Sequence, residues 1–264
     1  MNKKKIIGIA LIIFIFIGLS ITVAYIFNEL KNEHDIEIQN IETTDAKKFK
    51  AEYESINGQE IKEGIVARSV SIDDNNPIRY AKASDIVSKI DNNESFVVYF
   101  GFDTCPWCRS IIETLINTAK DNNVSTIYYV DVKNIRDVYS LNDEHEAVRT
   151  TEGTEGYYEL LKRLDSVLDD YSPLTYEKKV KKKKVTVEVP VNEKRIYAPN
   201  IVLVREGKPV VMTTGISDEL TDPYMELTDS IKNYTKESFD KLFKQFNQST
   251  TTTNSYVCTG ESNC

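Results

Sequence analysis

The feature that most narrows what this chain can become is the stretch Phe96-Val97-Val98-Tyr99-Phe100-Gly101-Phe102-Asp103-Thr104-Cys105-Pro106-Trp107-Cys108. Its opening run is apolar and aromatic without a break, the pattern of a fully buried strand, and Gly101 ends it. Beyond two cysteines spaced C-x-x-C, Ile111, Ile112, Leu115 and Ile116 recur with the spacing of one helix face. A dithiol therefore sits where a buried strand hands over to a helix. Pro106 suits the first helical turn, where its missing N–H costs nothing and its φ is already helical.

That position has chemical consequences. The free N–H groups and the positive dipole end at a helix start favour a thiolate over a thiol. Cys105, the N-terminal cysteine, is expected to be the exposed, attacking sulfur. Cys108, one turn in, is placed to resolve a mixed disulfide at Cys105. Asp103 opposes a thiolate at Cys105 while Arg109 favours one. Trp107 is read as a substrate-facing rim beside Cys105, against the alternative that its ring packs in the core. A structural zinc site needs a second close pair of ligands, and the sequence offers none. Cys258 and Cys264 lie far away at C-x5-C spacing, and His34 and His145 are isolated. No metal and no cofactor is expected; an inert disulfide is the bland alternative.

Strand, CPWC and helix together resemble the thioredoxin-like superfamily. A second piece of the resemblance is Tyr197-Ala198-Pro199-Asn200-Ile201-Val202-Leu203-Val204, followed by the turn Glu206-Gly207-Lys208 and the returning strand at Val210-Val211-Met212. The resemblance implies an α/β fold, a three-layer α/β/α sandwich around a central mixed sheet. It also implies a cis proline at Pro199 facing the dithiol. The backbone of Ala198 is then expected to pair with an extended substrate segment beside Cys105. With Pro106 and Trp107, these residues make the expected substrate-binding set. One family feature is absent: Tyr99 stands where thioredoxin-type reductases carry a buried Asp that helps move the proton.

The N-terminus bears on compartment. Met1-Asn2-Lys3-Lys4-Lys5 precedes an uncharged stretch from Ile6 to Phe27. At about 1.5 Å per residue such a helix is about 33 Å long, enough for a hydrocarbon core of about 30 Å. A retained transmembrane helix is favoured over a cleaved signal peptide, because no small-x-small cleavage site follows the apolar run. Lysines precede the span and acidic residues follow it, so residues 1–5 are expected in the cytoplasm and residues 28–264 outside. A net charge of −8 with pI near 5.1 argues against nucleic acid as a partner.

Residues 28–66 read as a stalk with a short helix, where Phe49, Tyr53 and Ile56 make a narrow apolar docking stripe. The thioredoxin-like domain is assigned to 67–247, with likeness over 78–134 and 195–247. Ile78 to Ala81 is expected as an edge strand, Ser84 to Ile90 as a helix and Val124 to Val132 as the next buried strand. Residues 135–194 are an insertion before the Pro199 strand. It holds a helix bearing Tyr157, Leu160, Leu161, Leu164, Val167 and Leu168 and a strand in which Val185, Val187, Val189 and Val191 alternate with polar residues, an edge strand because of Pro190. The lysines at 178, 179 and 181–184 are read as solvated charge that keeps the exposed edge from pairing with other chains, against the alternative of a basic dock for an acidic partner or lipid heads. Two helical patterns follow, Leu227/Ile231/Tyr234 and Phe239/Leu242/Phe243/Phe246, with Thr235 as a cap between them. Residues 248–264 form a polar tail in which Cys258 and Cys264 are expected to pair, as a passive loop or as a relay to the dithiol.

These readings converge on a membrane-anchored, extracytoplasmic thiol–disulfide oxidoreductase. It resembles thioredoxin-like accessory proteins of Gram-positive bacteria. The expected partners are cysteine-containing exported proteins or peptides, a membrane or extracytoplasmic redox partner, and the membrane itself through Ile6–Phe27. The competing class is a non-enzymatic surface domain whose CPWC disulfide is structural.

Overall fold

The computed structural model describes residues 22–31 and 44–252, and divides the chain into Met1–Asp45 and Ala46–Cys264. In the first unit residues 22–31 are an exposed helix. No helix among the described residues is long and apolar enough to cross a membrane. The span expected over Ile6–Phe27 lies outside the described residues except for 22–27, and Cys258 and Cys264 lie outside them entirely.

A helix over residues 44–55 (α1), all but its first two residues in the second unit, leads to a small ladder of β1 (Glu60–Lys62) and β2 (Ile65–Val66). Then come β3 (Ile78–Tyr80), α2 (Ala83–Asp91), β4 (Phe96–Gly101), α3 (Pro106–Asp121) and β5 (Ile127–Asp131). A long excursion contains β6 (Val138–Leu141), β7 (Ala147–Thr151), α4 (Glu155–Leu164), β8 (Leu174–Val180) and β9 (Lys183–Val189). β10 (Asn200–Arg205), β11 (Lys208–Thr213) and α5 (Asp229–Thr252) close the chain.

β4 is the centre of a five-stranded mixed sheet of order β11-β10-β4-β5-β3. It runs parallel to β5 and antiparallel to β10, with Val98 opposite both Tyr128 and Val202. All of β4 is buried, which is why its sequence does not alternate. One face of the sheet presents Val97, Tyr99, Ile127, Tyr129, Ile201 and Leu203 to a core with residues of α1, α3 and α5. The other presents Phe96, Val98, Phe100, Val130, Val202 and Val204 to α2 and α4. The fold is thus mixed α/β with helices on both faces.

Three elements differ from the expectations. The apolar stripe of α1 does dock, but as part of the core and not of a stalk: Phe49 and Tyr53 are fully buried in the cluster that contains Tyr99 and Cys108. The two expected C-terminal helices are one continuous α5. Thr235 does not cap a second helix; its hydroxyl donates to the Ile231 carbonyl at 3.0 Å within the first. Buried Thr235 bridges Ile231 and Phe239 on one face, whereas Tyr234 points to solvent. In the excursion the Val185–Val189 strand pairs with β8, and the two form their own ladder apart from the main sheet.

If α1 is core, Phe49→Ala costs about 3–5 kcal/mol of unfolding free energy, as other large buried-aromatic truncations do. Urea titration of the purified chain measures this. A change within about 0.5 kcal/mol is what an accessory docking stripe would give.

Candidate redox site

Cys105 occupies the N-cap of α3, with extended backbone, and Pro106 is in the first turn. Its sulfur takes the place of a capping oxygen, accepting the Cys108 N–H at 3.4 Å. Cys105 and Cys108 are unbridged. Cys105 keeps 4% of its surface exposed and Cys108 none, so Cys105 is the more accessible sulfur by a small margin rather than an open one. As a thiol, Cys105 donates to the Ala198 carbonyl at 3.2 Å. The Ala198–Pro199 peptide is cis, as expected, and β10 starts at the next residue. The strand order explains the meeting. β10 lies antiparallel beside β4 with Asn200 opposite Phe100, so the start of β10 abuts the end of β4.

The two sulfurs experience opposite fields. Cys105 is pulled below the usual thiol range, first by the hydrogen bond with the Cys108 side chain. The backbone N–H groups of Cys108 and Trp107 and the positive charge of Arg136 add to this, against the burial that raises it. Cys108 is pushed well up, by burial above all. Cys105 is therefore the sulfur that ionises first, and Cys108 the one that holds its proton longer.

Behind Cys108 lies a hydroxyl pair. Tyr99 and Tyr53 share a hydrogen bond of 2.8 Å, and the Tyr99 hydroxyl eases ionisation of the Cys108 thiol against the burial that opposes it. Burial pushes both tyrosines well above their ordinary range. Gly101 is required here because a Cβ would strike the Tyr99 ring and hydroxyl. Tyr99 thus brings a buried hydroxyl to the core around Cys108.

Arg109 acts differently from the expectation. Its guanidinium is buried and spent on bracing, donating to the carbonyls of Arg68 (2.7 Å), Tyr53 (2.7 Å) and Asp103 (3.2 Å) and to Asn57 Oδ1 (2.6 Å). It ties α3 to the end of α1. A positive charge that favours ionisation of Cys105 comes from Arg136, in the excursion after β5. Nothing in the sequence marked Arg136, whose neighbours Ile135 and Asp137 form no recognisable pattern. Tyr53, read as part of a docking stripe, was also missed.

Asp103 accepts the Thr104 N–H at 2.7 Å, and Lys133 donates to the Thr104 hydroxyl at 3.0 Å. Pro106 and Trp107 are half-buried, and the Trp107 ring packs against the core cluster, so it is neither wholly rim nor wholly core. Among the described residues no group of three or more His, Cys, Asp or Glu side chains is gathered to hold a metal ion. No protein-family model matches the chain, and no curated protein matches it.

The shifts fix a pH dependence. For Cys105 the folded state ionises first, so its contribution to stability grows as pH rises toward the ordinary thiol value of about 8.5. Cys108, Tyr53 and Tyr99 work in reverse: their contribution is complete below the unfolded values of about 8.5 and 10 and is lost as pH rises toward the raised folded values. Unfolding free energy of the reduced protein is therefore expected to climb to about pH 8.5 and fall beyond it. Cys108→Ala should remove the part of the decline that starts before about pH 10, the onset of tyrosine ionisation. Urea titrations across pH 7–11 check this, and a Cys108→Ala profile identical to wild type would contradict it.

Proposed function

We propose that the chain is a thioredoxin-like thiol–disulfide oxidoreductase. It is anchored by Ile6–Phe27 with its catalytic domain outside the cell membrane, and it acts on exported proteins or peptides that carry cysteine pairs. The observation that carries the reading is the setting of the Cys105 sulfur. It lies between the Cys108 N–H at the head of α3 and the Ala198 carbonyl before a cis proline. A static bridge has no need of a thiolate-stabilising cap on one sulfur and a buried, proton-holding partner.

In the reductive direction the Cys105 thiolate attacks a partner disulfide. An S–S bond forms between Cys105 and one partner sulfur, and the other partner sulfur leaves as a thiolate that takes up a proton. Cys108 then gives up its proton and attacks the Cys105 sulfur, releasing the second partner thiolate. Two electrons have passed from the protein dithiol to the partner, and Cys105–Cys108 is a disulfide. Oxidation of a partner dithiol is the same sequence reversed. In either direction an extracytoplasmic or membrane dithiol–disulfide protein resets the pair. Tyr99 favours loss of the Cys108 proton, and the Ala198–Pro199 backbone with Trp107 frames the partner chain.

Replacing Cys108 by Ser removes the resolving sulfur and leaves the attack intact. Expressed in its own host, Cys108→Ser is expected to accumulate adducts linked through Cys105 to discrete exported proteins. Diagonal reducing gels with mass spectrometry read this out. Absence of adducts while Cys105 still alkylates would favour the non-enzymatic reading.

A further inference from the structure

The excursion between β5 and β10 supplies a charged group that the exchange steps above leave unused. The Arg136 guanidinium is held between the two segments that make the site. Its Cζ lies 5.5 Å from the ring centroid of Phe102, three residues before Cys105. Its Nη1 donates at 3.4 Å to the carbonyl of Ile196, two residues before Ala198. Its Nε is buried without a hydrogen-bond partner.

No carboxylate forms an ion pair with Arg136 among the described residues. The adjacent Asp137 instead faces Arg195 at 3.7 Å and Arg149 at 3.8 Å. Arg195 repels Arg136, and the groups whose negative charge favours it are Tyr157, Cys105 and Cys108. A partly desolvated guanidinium flanked by a ring, a carbonyl and a second cation lacks an anion, and such a charge is costly until it is paired. Of the remaining titratable groups near the dithiol, Arg109 is spent on carbonyls and Asn57, Lys133 on Thr104, and Asp103 accepts from the Thr104 N–H. Tyr99 lies behind Cys108 and bonds Tyr53.

We propose that Arg136 is an electrostatic positioning residue of the exchange reaction, the counter-ion that the excursion brings to the Cys105 thiolate. Two needs are met together: the sulfur gains a cation and the guanidinium gains its missing anion. The excursion is then part of the redox site rather than an appendage. The inference rests on the oxidoreductase reading, and its test is chosen to fail separately from that reading.

The experiment compares wild type, Arg136→Gln and Arg136→Lys as full chains in reduced form, following the rate at which iodoacetamide alkylates Cys105 between pH 5 and 10. In Arg136→Gln the midpoint is expected to move up by about one unit, slowing alkylation about tenfold at pH below both midpoints. Arg136→Lys keeps the charge and should retain most of the wild-type midpoint. Arg136→Met, which preserves the stem's packing on Phe102, carries the same test if the Gln variant does not fold. A midpoint unchanged in the neutral variant, or moved equally by Lys and by the neutral residue, overturns the proposal. Adducts that still form with Arg136→Gln/Cys108→Ser after such a result would leave the oxidoreductase reading standing; their loss together with Cys105 alkylation would take both down.

Discussion

The contact on which the site depends is the one between the Cys105 sulfur and the free N–H groups that open α3. A helix start leaves several donors unsatisfied, and an ordinary chain meets them with a Ser, Thr, Asp or Asn oxygen. Here a sulfur stands in that position, so the fold's own need for a cap becomes a device for holding negative charge. The geometry is available only because β4 is locked in the middle of the sheet. Its end at Gly101 fixes where the loop Phe102–Thr104 begins, and hence where α3 can start.

The same scaffold makes the two cysteines unequal. A favourable helix terminus gives about 0.3–1 kcal/mol, whereas full burial moves an ionisable group by up to about 3–5 pKa units, each about 1.4 kcal/mol. Burial wins at Cys108, which has no exposure and lies in a core shared with Tyr53 and Tyr99. At Cys105, hydrogen bonds and the charge of Arg136 outweigh burial. The Tyr53–Tyr99 pair shows how α1 bears on chemistry: Tyr53 shares the core that buries Cys108 and supplies the partner of the Tyr99 hydroxyl.

What was legible in the sequence was what is local along it. The strand–CPWC–helix order lies within one short segment, and the cis proline could be placed because its strand carries a recognisable pattern. Destinations of side chains were not legible. Phe49 and Tyr53 give the same stripe whether the helix docks elsewhere or roofs the core. Arg109 sits next to Cys108 in sequence, yet its guanidinium reaches back to Tyr53 and Arg68. Arg136 is remote in sequence but bears on Cys105, because the end of β5 and the approach to β10 converge there. β8 escaped because its lysines mask a strand, and α5 was split because Thr235 looked like a cap rather than a buried filler of the same face.

The reduction potential of the Cys105–Cys108 pair tests the central claim most directly. Equilibrating the full chain with defined glutathione or dithiothreitol ratios and counting alkylated sulfurs by mass gives the potential. A pair built for exchange, with a thiolate stabilised at Cys105, is expected to titrate reversibly as a two-electron couple between about −120 and −270 mV, the range of exchange catalysts. A value below about −300 mV, where structural bridges of secreted proteins lie, would contradict the account.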